Sequence, residues 1–139
     1  MAGKTRVQWV AKGQFVGTDT TKHSVVISTH DEENGVGMKP SDLLLVAMGA
    51  CSSVDVVKIL QKKRQRLTGL EVEVSGQQDA DPPWTFRKIG VTYIVRGQGL
   101  SDKAVADAIK LAEDKYCSVK ATLKEVVEFQ SEYRIVEQE

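Results

Sequence analysis

The sequence predicts an α+β fold in which antiparallel sheets pack around a long central helix. Alternating apolar residues form two groups of strands, and one long apolar segment with helical character lies between the groups. A doubly wound α/β fold would instead alternate single strands with single helices. The chain has 139 residues, of which 41% are hydrophobic and 27% charged. These values are typical of one compact domain, which we expect to cover residues 1–139.

The first group consists of short strands. Val7, Trp9 and Ala11 alternate with other residues, and residues 14–16 lie between two glycines. Residues 23–29 contain a run of β-branched side chains. Short runs of this kind, bounded by turn residues, are typical of antiparallel strands.

The central helix is predicted to begin at Pro40-Ser41-Asp42, because Ser41 or Asp42 can accept hydrogen bonds from the free amides of the first turn. We expect it to continue to about Arg66. Residues 43–50 are apolar on every side and should be surrounded by protein. Residues 58–66 carry five cationic side chains and should reach water.

The later elements also follow from periodicity. Residues 70–75 and 86–95 alternate with a period of two, which predicts a hairpin. Ser101 is placed to cap a helix with apolar residues at helical spacing, and a short helix is predicted after Cys117. Residues 126–135 are predicted to form the last strand.

Composition argues against several classes of function. Nineteen basic and nineteen acidic residues give a formal net charge of zero, so no excess charge favours nucleic acid or an anionic membrane. The N-terminus lacks a secretory signal, and the uncharged residues 43–54 are too few to span a bilayer, so we expect a cytoplasmic protein. His23 and His30 lack a third ligand at metal spacing, and Gly35 and Gly37 lack the context of a nucleotide-binding loop. We therefore expect no metal and no cofactor.

The two cysteines, Cys51 and Cys117, allow two interpretations. Cysteine is often a small buried hydrophobe, so both thiols could be inert. Alternatively, the two thiols meet in space as an attacking and a resolving pair. The attacking thiolate becomes a sulfenic acid, which then condenses with the second thiol to form a disulfide.

The surroundings of the cysteines predict opposite shifts of their pKa values. Cys117 lies near a predicted break between helices, which would expose it, and free amides at the next helix would lower its pKa. Asp55 lies one turn after Cys51 and would raise the pKa of that thiol. Arg87 and Arg96 are candidates for a cation that offsets Asp55.

Two segments resemble the OsmC/Ohr family of osmotically inducible and organic hydroperoxide resistance proteins. They are residues 40–53, which run from Pro40-Ser41-Asp42 to Cys51 and its small neighbours, and residues 115–119 around Cys117. Within the family, residues 55–65 look most like the YhfA-like branch.

The resemblance implies an intertwined homodimer whose long helices are buried together, with active sites at the subunit interface. It also implies a redox-active peroxidase of the oxidative stress response, which reduces organic hydroperoxides or a related small electrophile. Cys51 would be the attacking thiolate and Cys117 the resolving thiol. A thiol reductant would then reopen the disulfide.

Three positions depart from the family pattern. Ser41 stands where the family has a glutamate, residues 12–15 lack the arginine of the first hairpin, and Ser118 replaces a proline. Three alternatives therefore stay open beside the peroxidase. They are a family member without efficient peroxidase activity, a structural domain with inert cysteines, and a binder of a small apolar ligand at the dimer interface, in a pocket lined by Met48 and Val54.

Overall fold

The computed structural model describes residues 3–139, and the fold is α+β, as predicted. Its contacts divide the chain into two compact units, Met1–Leu44 and Leu45–Glu139. The single domain expected from the sequence stays a prediction.

The first unit contains a three-stranded antiparallel sheet made of the predicted short strands. Strand β1 (Arg6–Ala11) pairs with β2 (Gln14–Thr18), which pairs with β3 (Ser24–Ser28). Every side chain of β1 is exposed, including Val7, Trp9 and Val10. The first unit therefore leaves an apolar strand uncovered.

The central helix, α1 (Pro40–Lys62), begins at the predicted position. It ends before the predicted limit at Arg66, because Arg64 has a φ of +58°, in the left-handed region that ends helices. Arg66 is already the first residue of the next strand. By length and composition α1 could cross a membrane, a test that the core helix of a soluble protein also passes.

The second unit contains a sheet with the order β4–β5–β6. The predicted hairpin is present, since β4 (Arg66–Gln78) pairs antiparallel with β5 (Phe86–Gln98). Strand β6 (Glu128–Glu137) pairs with β5 in parallel, so this sheet is mixed, and the expectation of antiparallel sheets alone is wrong here.

The parallel pairing follows from a long helical connection between β5 and β6. This connection contains α2 (Asp102–Leu111), a π-helical turn (Ala112–Tyr116) and α3 (Ser118–Leu123). A crossover of this length can return the chain to the end of the sheet from which β5 began, whereas a short turn cannot.

The core of the second unit joins α1, α2 and the sheet. Fully buried side chains include Met48 and Leu60 of α1 and Tyr93 of β5. Gly49 lets α1 approach the sheet closely, because a Cβ at this position would lie 3.0 Å from Val74 Cγ2.

One face of α1 is not covered. Val46, Ala50 and Val54 recur every four residues, so they form a stripe along one side of the helix. Val46 is 50% exposed and Val54 is 55% exposed. The expectation that residues 43–50 are surrounded by protein is therefore not met within one chain, because the second unit covers only the opposite face of α1.

Candidate active site

The structure brings the two cysteines together. Cys51 lies in α1, and Cys117 is the N-cap residue of α3. Cys51 Sγ lies 3.9 Å from Ser118 Oγ, in the residue that follows Cys117, and the Cys117 thiol is close enough to lower the pKa of Cys51. Both thiols are free. The two segments that carry the family resemblance therefore meet at one site.

The exposure of Cys117 is the reverse of the sequence prediction. Cys117 is only 2% exposed, because its side chain belongs to the hydrophobic core of the second unit. Cys51 is partly exposed although it lies within the long helix. The expectation that the break between helices would expose Cys117 is wrong, and Cys51 is the thiol that a solute can reach.

The surroundings of Cys51 favour its thiolate. Burial raises the pKa of Cys51, but hydrogen bonds from the Val119 backbone N–H, the Cys117 thiol and Ser118 outweigh this effect. The net result is a pKa below the usual value for cysteine. The rise in pKa that was expected from Asp55 therefore does not decide the net direction of the shift at Cys51.

The pKa of Cys117 shifts in the opposite direction. Burial raises the pKa of Cys117, and the neighbouring Cys51 raises it further. The Lys120 backbone N–H lies 3.4 Å from Cys117 Sγ and lowers the pKa, as expected for a helix start, but it does not outweigh burial. The predicted lowering is wrong in its net direction, and Cys51 ionises before Cys117.

A buried polar cluster that was not predicted from the sequence lies next to Cys117. Glu113, in the π-helical turn, is 5% exposed and accepts three hydrogen bonds. The donors are Tyr93 Oη at 2.6 Å, Lys120 Nζ at 2.8 Å and Ser131 Oγ at 2.9 Å. Burial and the bond to Glu113 raise the pKa of Tyr93. We refer to Tyr93, Glu113, Lys120 and Ser131 as the Glu113 cluster.

Little in the sequence could have revealed this cluster. Tyr93 occupies an inward position of a predicted strand, which is a signal only for burial. Glu113 stands in a charged run, Glu113-Asp114-Lys115, and such a run usually faces water. The π-helical turn places Glu113 inward, and no simple helical pattern predicts that turn.

The two arginines proposed as compensating cations are paired elsewhere. Arg87 binds Asp79, with Nη2 2.9 Å from Oδ2, and Arg96 binds Glu71 at 3.0 Å. The lowered pKa of Cys51 is accounted for by hydrogen bonds from the start of α3 and from Cys117.

The remaining positions singled out by the sequence lie in the first unit. Lys12 forms an ion pair with Glu33 at 3.8 Å, and Asp42 is exposed in the first turn of α1. His23 Nδ1 lies 2.8 Å from Thr21 Oγ1, and His30 Nε2 lies 2.9 Å from the Gly37 carbonyl. Among residues 3–139, no group of three potential ligands could hold a metal ion.

An open apolar cleft of about 440 Å³ also lies in the first unit, between β1, the β2–β3 turn and Leu43. It is not the pocket expected from the sequence. Met48 cannot line a pocket in this chain, because it is fully buried in the core of the second unit.

The sequence is similar to known proteins over most of its length. The profile of the OsmC-like protein family matches residues 30–132. Protein YhfA of Escherichia coli (strain K12) is 35% identical over 133 residues, which cover 96% of this chain and 98% of YhfA.

Solved structures have the same fold. A hypothetical protein from Aquifex aeolicus VF5 aligns with a TM-score of 0.88 at 26% identity, over 100% of this chain and 99% of that one. The organic hydroperoxide resistance protein OhrB of Bacillus subtilis aligns with a TM-score of 0.63 at 16% identity, over 96% and 98% of the two chains. The profile match and the identity to YhfA both extend over most of the sequence, and the chain belongs to the OsmC-like protein family.

Proposed function

We propose that this protein is a cytoplasmic thiol peroxidase that reduces organic hydroperoxides, with Cys51 as the attacking thiolate and Cys117 as the resolving thiol. The observation that carries the proposal is the contact between one accessible thiol of lowered pKa and one buried thiol of raised pKa. Membership of a family that includes organic hydroperoxide resistance proteins supports the choice of substrate.

The reaction has three balanced steps. The Cys51 thiolate attacks the terminal oxygen of the hydroperoxide, the O–O bond breaks, and the departing alkoxide takes a proton to become an alcohol. The Cys117 sulfur then attacks the Cys51 sulfenic acid, which gives a disulfide and water. Two thiol groups of a reductant finally reopen the disulfide and are themselves oxidised to a disulfide.

Hydrogen-bond donors, in place of a cation, activate Cys51 in this proposal. The Val119 N–H and the donors at Cys117 and Ser118 stabilise a thiolate that is only partly shielded from water. Ser118, which replaces the proline of the family pattern, thus supplies a hydroxyl group beside the attacking sulfur.

The test is a count of free thiols after an organic hydroperoxide is added to the fully reduced protein. We expect both thiols of each chain to be lost, and Cys51→Ser to retain Cys117 as a free thiol, because only Cys51 is accessible and has a lowered pKa. The matched control is Ser53→Ala, which removes a neighbouring hydroxyl whose one bond within residues 3–139 is to the Gly49 carbonyl, at 2.6 Å. Retention of both thiols in the wild-type protein would contradict the proposal and favour a ligand-binding function.

We also propose that two copies of the chain form a homodimer through the stripe of Val46, Ala50 and Val54. These apolar residues lie on the same helix as Cys51, and their exposure in one chain would be relieved by a second copy. The uncovered strand β1 offers a further apolar surface for the partner.

Val54→Lys is expected to produce a monomer at micromolar concentration, whereas the wild type is expected to sediment as a dimer. A symmetric interface contains each substitution twice, so two charges would be buried against apolar surface. The control is Val126→Lys, the same change at a residue that is 65% exposed and lies outside α1. Analytical ultracentrifugation measures the oligomeric state of the wild type and of both variants. A wild type that sediments as a monomer would contradict the proposed homodimer.

A further inference from the structure

The Glu113 cluster joins four elements of the second unit. Glu113 lies in the π-helical turn, Tyr93 in β5, Ser131 in β6 and Lys120 in α3. Each of the three donors that bond to this carboxylate lies in a different element of the second unit. Because a buried carboxylate is costly unless it is paired and hydrogen-bonded, the whole set favours a single arrangement of these elements.

Lys120 connects this cluster directly to the resolving thiol. Its Nζ lies 2.8 Å from Glu113 Oε1, and its backbone N–H lies 3.4 Å from Cys117 Sγ. Glu113 precedes Cys117 by four residues, so the carboxylate and the ammonium group hold the chain on both sides of the cysteine. The sulfur is thus fixed at the N-cap position, next to Cys51.

We propose that the Glu113 cluster positions Cys117 for disulfide formation with Cys51, so that Tyr93, Glu113 and Lys120 are positioning residues of the redox site. This inference rests on the proposed function, since the disulfide is the product of its second step. The cluster reaches the redox site through Cys117, because Lys120 Nζ bonds to Glu113 while the Lys120 backbone N–H bonds to Cys117 Sγ.

A purely structural cluster would behave differently from a positioning one. A structural cluster stabilises the reduced and the oxidised protein equally, so its removal lowers the unfolding temperature of both. A positioning cluster raises the effective concentration of Cys117 at Cys51, so its removal shifts the equilibrium between dithiol and disulfide. That equilibrium distinguishes the two roles.

The experiment equilibrates the full-length protein with mixtures of reduced and oxidised glutathione. Each oxidised glutathione takes two electrons from the two protein thiols and becomes two reduced glutathione molecules. The equilibrium constant is therefore the value that the squared concentration of reduced glutathione, divided by that of oxidised glutathione, has when half of the protein is oxidised. We expect Tyr93→Phe to lower this constant about tenfold, because it removes one bond to a buried carboxylate. Glu113→Gln tests the carboxylate itself.

Tyr133→Phe provides a matched control. Tyr133 pairs with Tyr93 in the sheet register, and its hydroxyl donates to the Asp102 carboxylate at 2.8 Å, outside the Glu113 cluster. We expect the dithiol–disulfide equilibrium constant of Tyr133→Phe to stay within about twofold of the wild-type value. The inference is overturned if Tyr93→Phe behaves like Tyr133→Phe, or if the wild type forms no internal disulfide in any glutathione mixture.

The two proposals can fail separately. If the equilibrium shifts as expected but hydroperoxide leaves both thiols intact, the positioning role stands and the peroxidase function fails. If hydroperoxide consumes both thiols but Tyr93→Phe leaves the equilibrium unchanged, the peroxidase function stands and the positioning role fails.

Discussion

Cys117→Ser is expected to slow peroxidase turnover with a thiol reductant by about a hundredfold, because the neighbouring thiol acts at an effective concentration that a free reductant cannot match. Cys51 would still attack the hydroperoxide, but its sulfenic acid would persist. With excess hydroperoxide it would advance to the irreversible sulfinic acid. Mass spectrometry of the intact protein should therefore show the addition of one and then two oxygen atoms.

Two controls make this result specific. Cys51→Ser should gain no oxygen atom under the same conditions, because the remaining Cys117 is buried and its pKa is raised. Ser118→Ala should keep the disulfide, since it retains both sulfurs. A Cys117→Ser protein that turns over as fast as the wild type would show that Cys117 does not resolve the sulfenic acid.

Lys120→Met is expected to lower the free energy of unfolding by about 3 kcal/mol, because the Glu113 carboxylate would stay buried without its cation. Lys120 has a raised pKa, since the attraction of Glu113 and Asp114 outweighs the opposing effect of burial. The ammonium group is thus charged at neutral pH, and its loss removes a charge-assisted bond. Urea unfolding followed by circular dichroism measures the change.

The matched control is Lys103→Met. Lys103 also binds a carboxylate, Asp107, at 2.6 Å, but its side chain is 85% exposed, against 18% for Lys120. An ion pair that is exposed to water contributes little to stability, so this variant should stay close to the wild type. Equal losses in the two variants would contradict the role assigned to the buried pair.

The fold was predictable where local chemistry decides the structure. The start of α1 depends on Pro40-Ser41-Asp42, and the β4–β5 hairpin depends on alternating residues, so both were predicted. The parallel pairing of β6 was not predicted, because it depends on the end of the sheet to which the helical connection returns the chain. The end of α1 was also missed, since the left-handed conformation of Arg64 has no glycine to indicate it.

The candidate site was predicted only in part. The family resemblance identified Cys51 and Cys117, and the structure brings them together. The exposure of Cys117 and the pKa shifts of both cysteines were predicted wrongly from the sequence, because they depend on the neighbours that the tertiary fold supplies. The Glu113 cluster could not be predicted, since its four members come from β5, the π-helical turn, α3 and β6.

The N-cap role of Cys117 joins the candidate redox site to the start of a helix. In the reduced protein its sulfur accepts the Lys120 N–H, one of the otherwise free amides of α3. The same sulfur would bond to Cys51 in the proposed disulfide, so one atom serves both the cap of α3 and the redox site. A substitution that displaces this sulfur would therefore remove a hydrogen bond at the start of α3 together with the partner of Cys51.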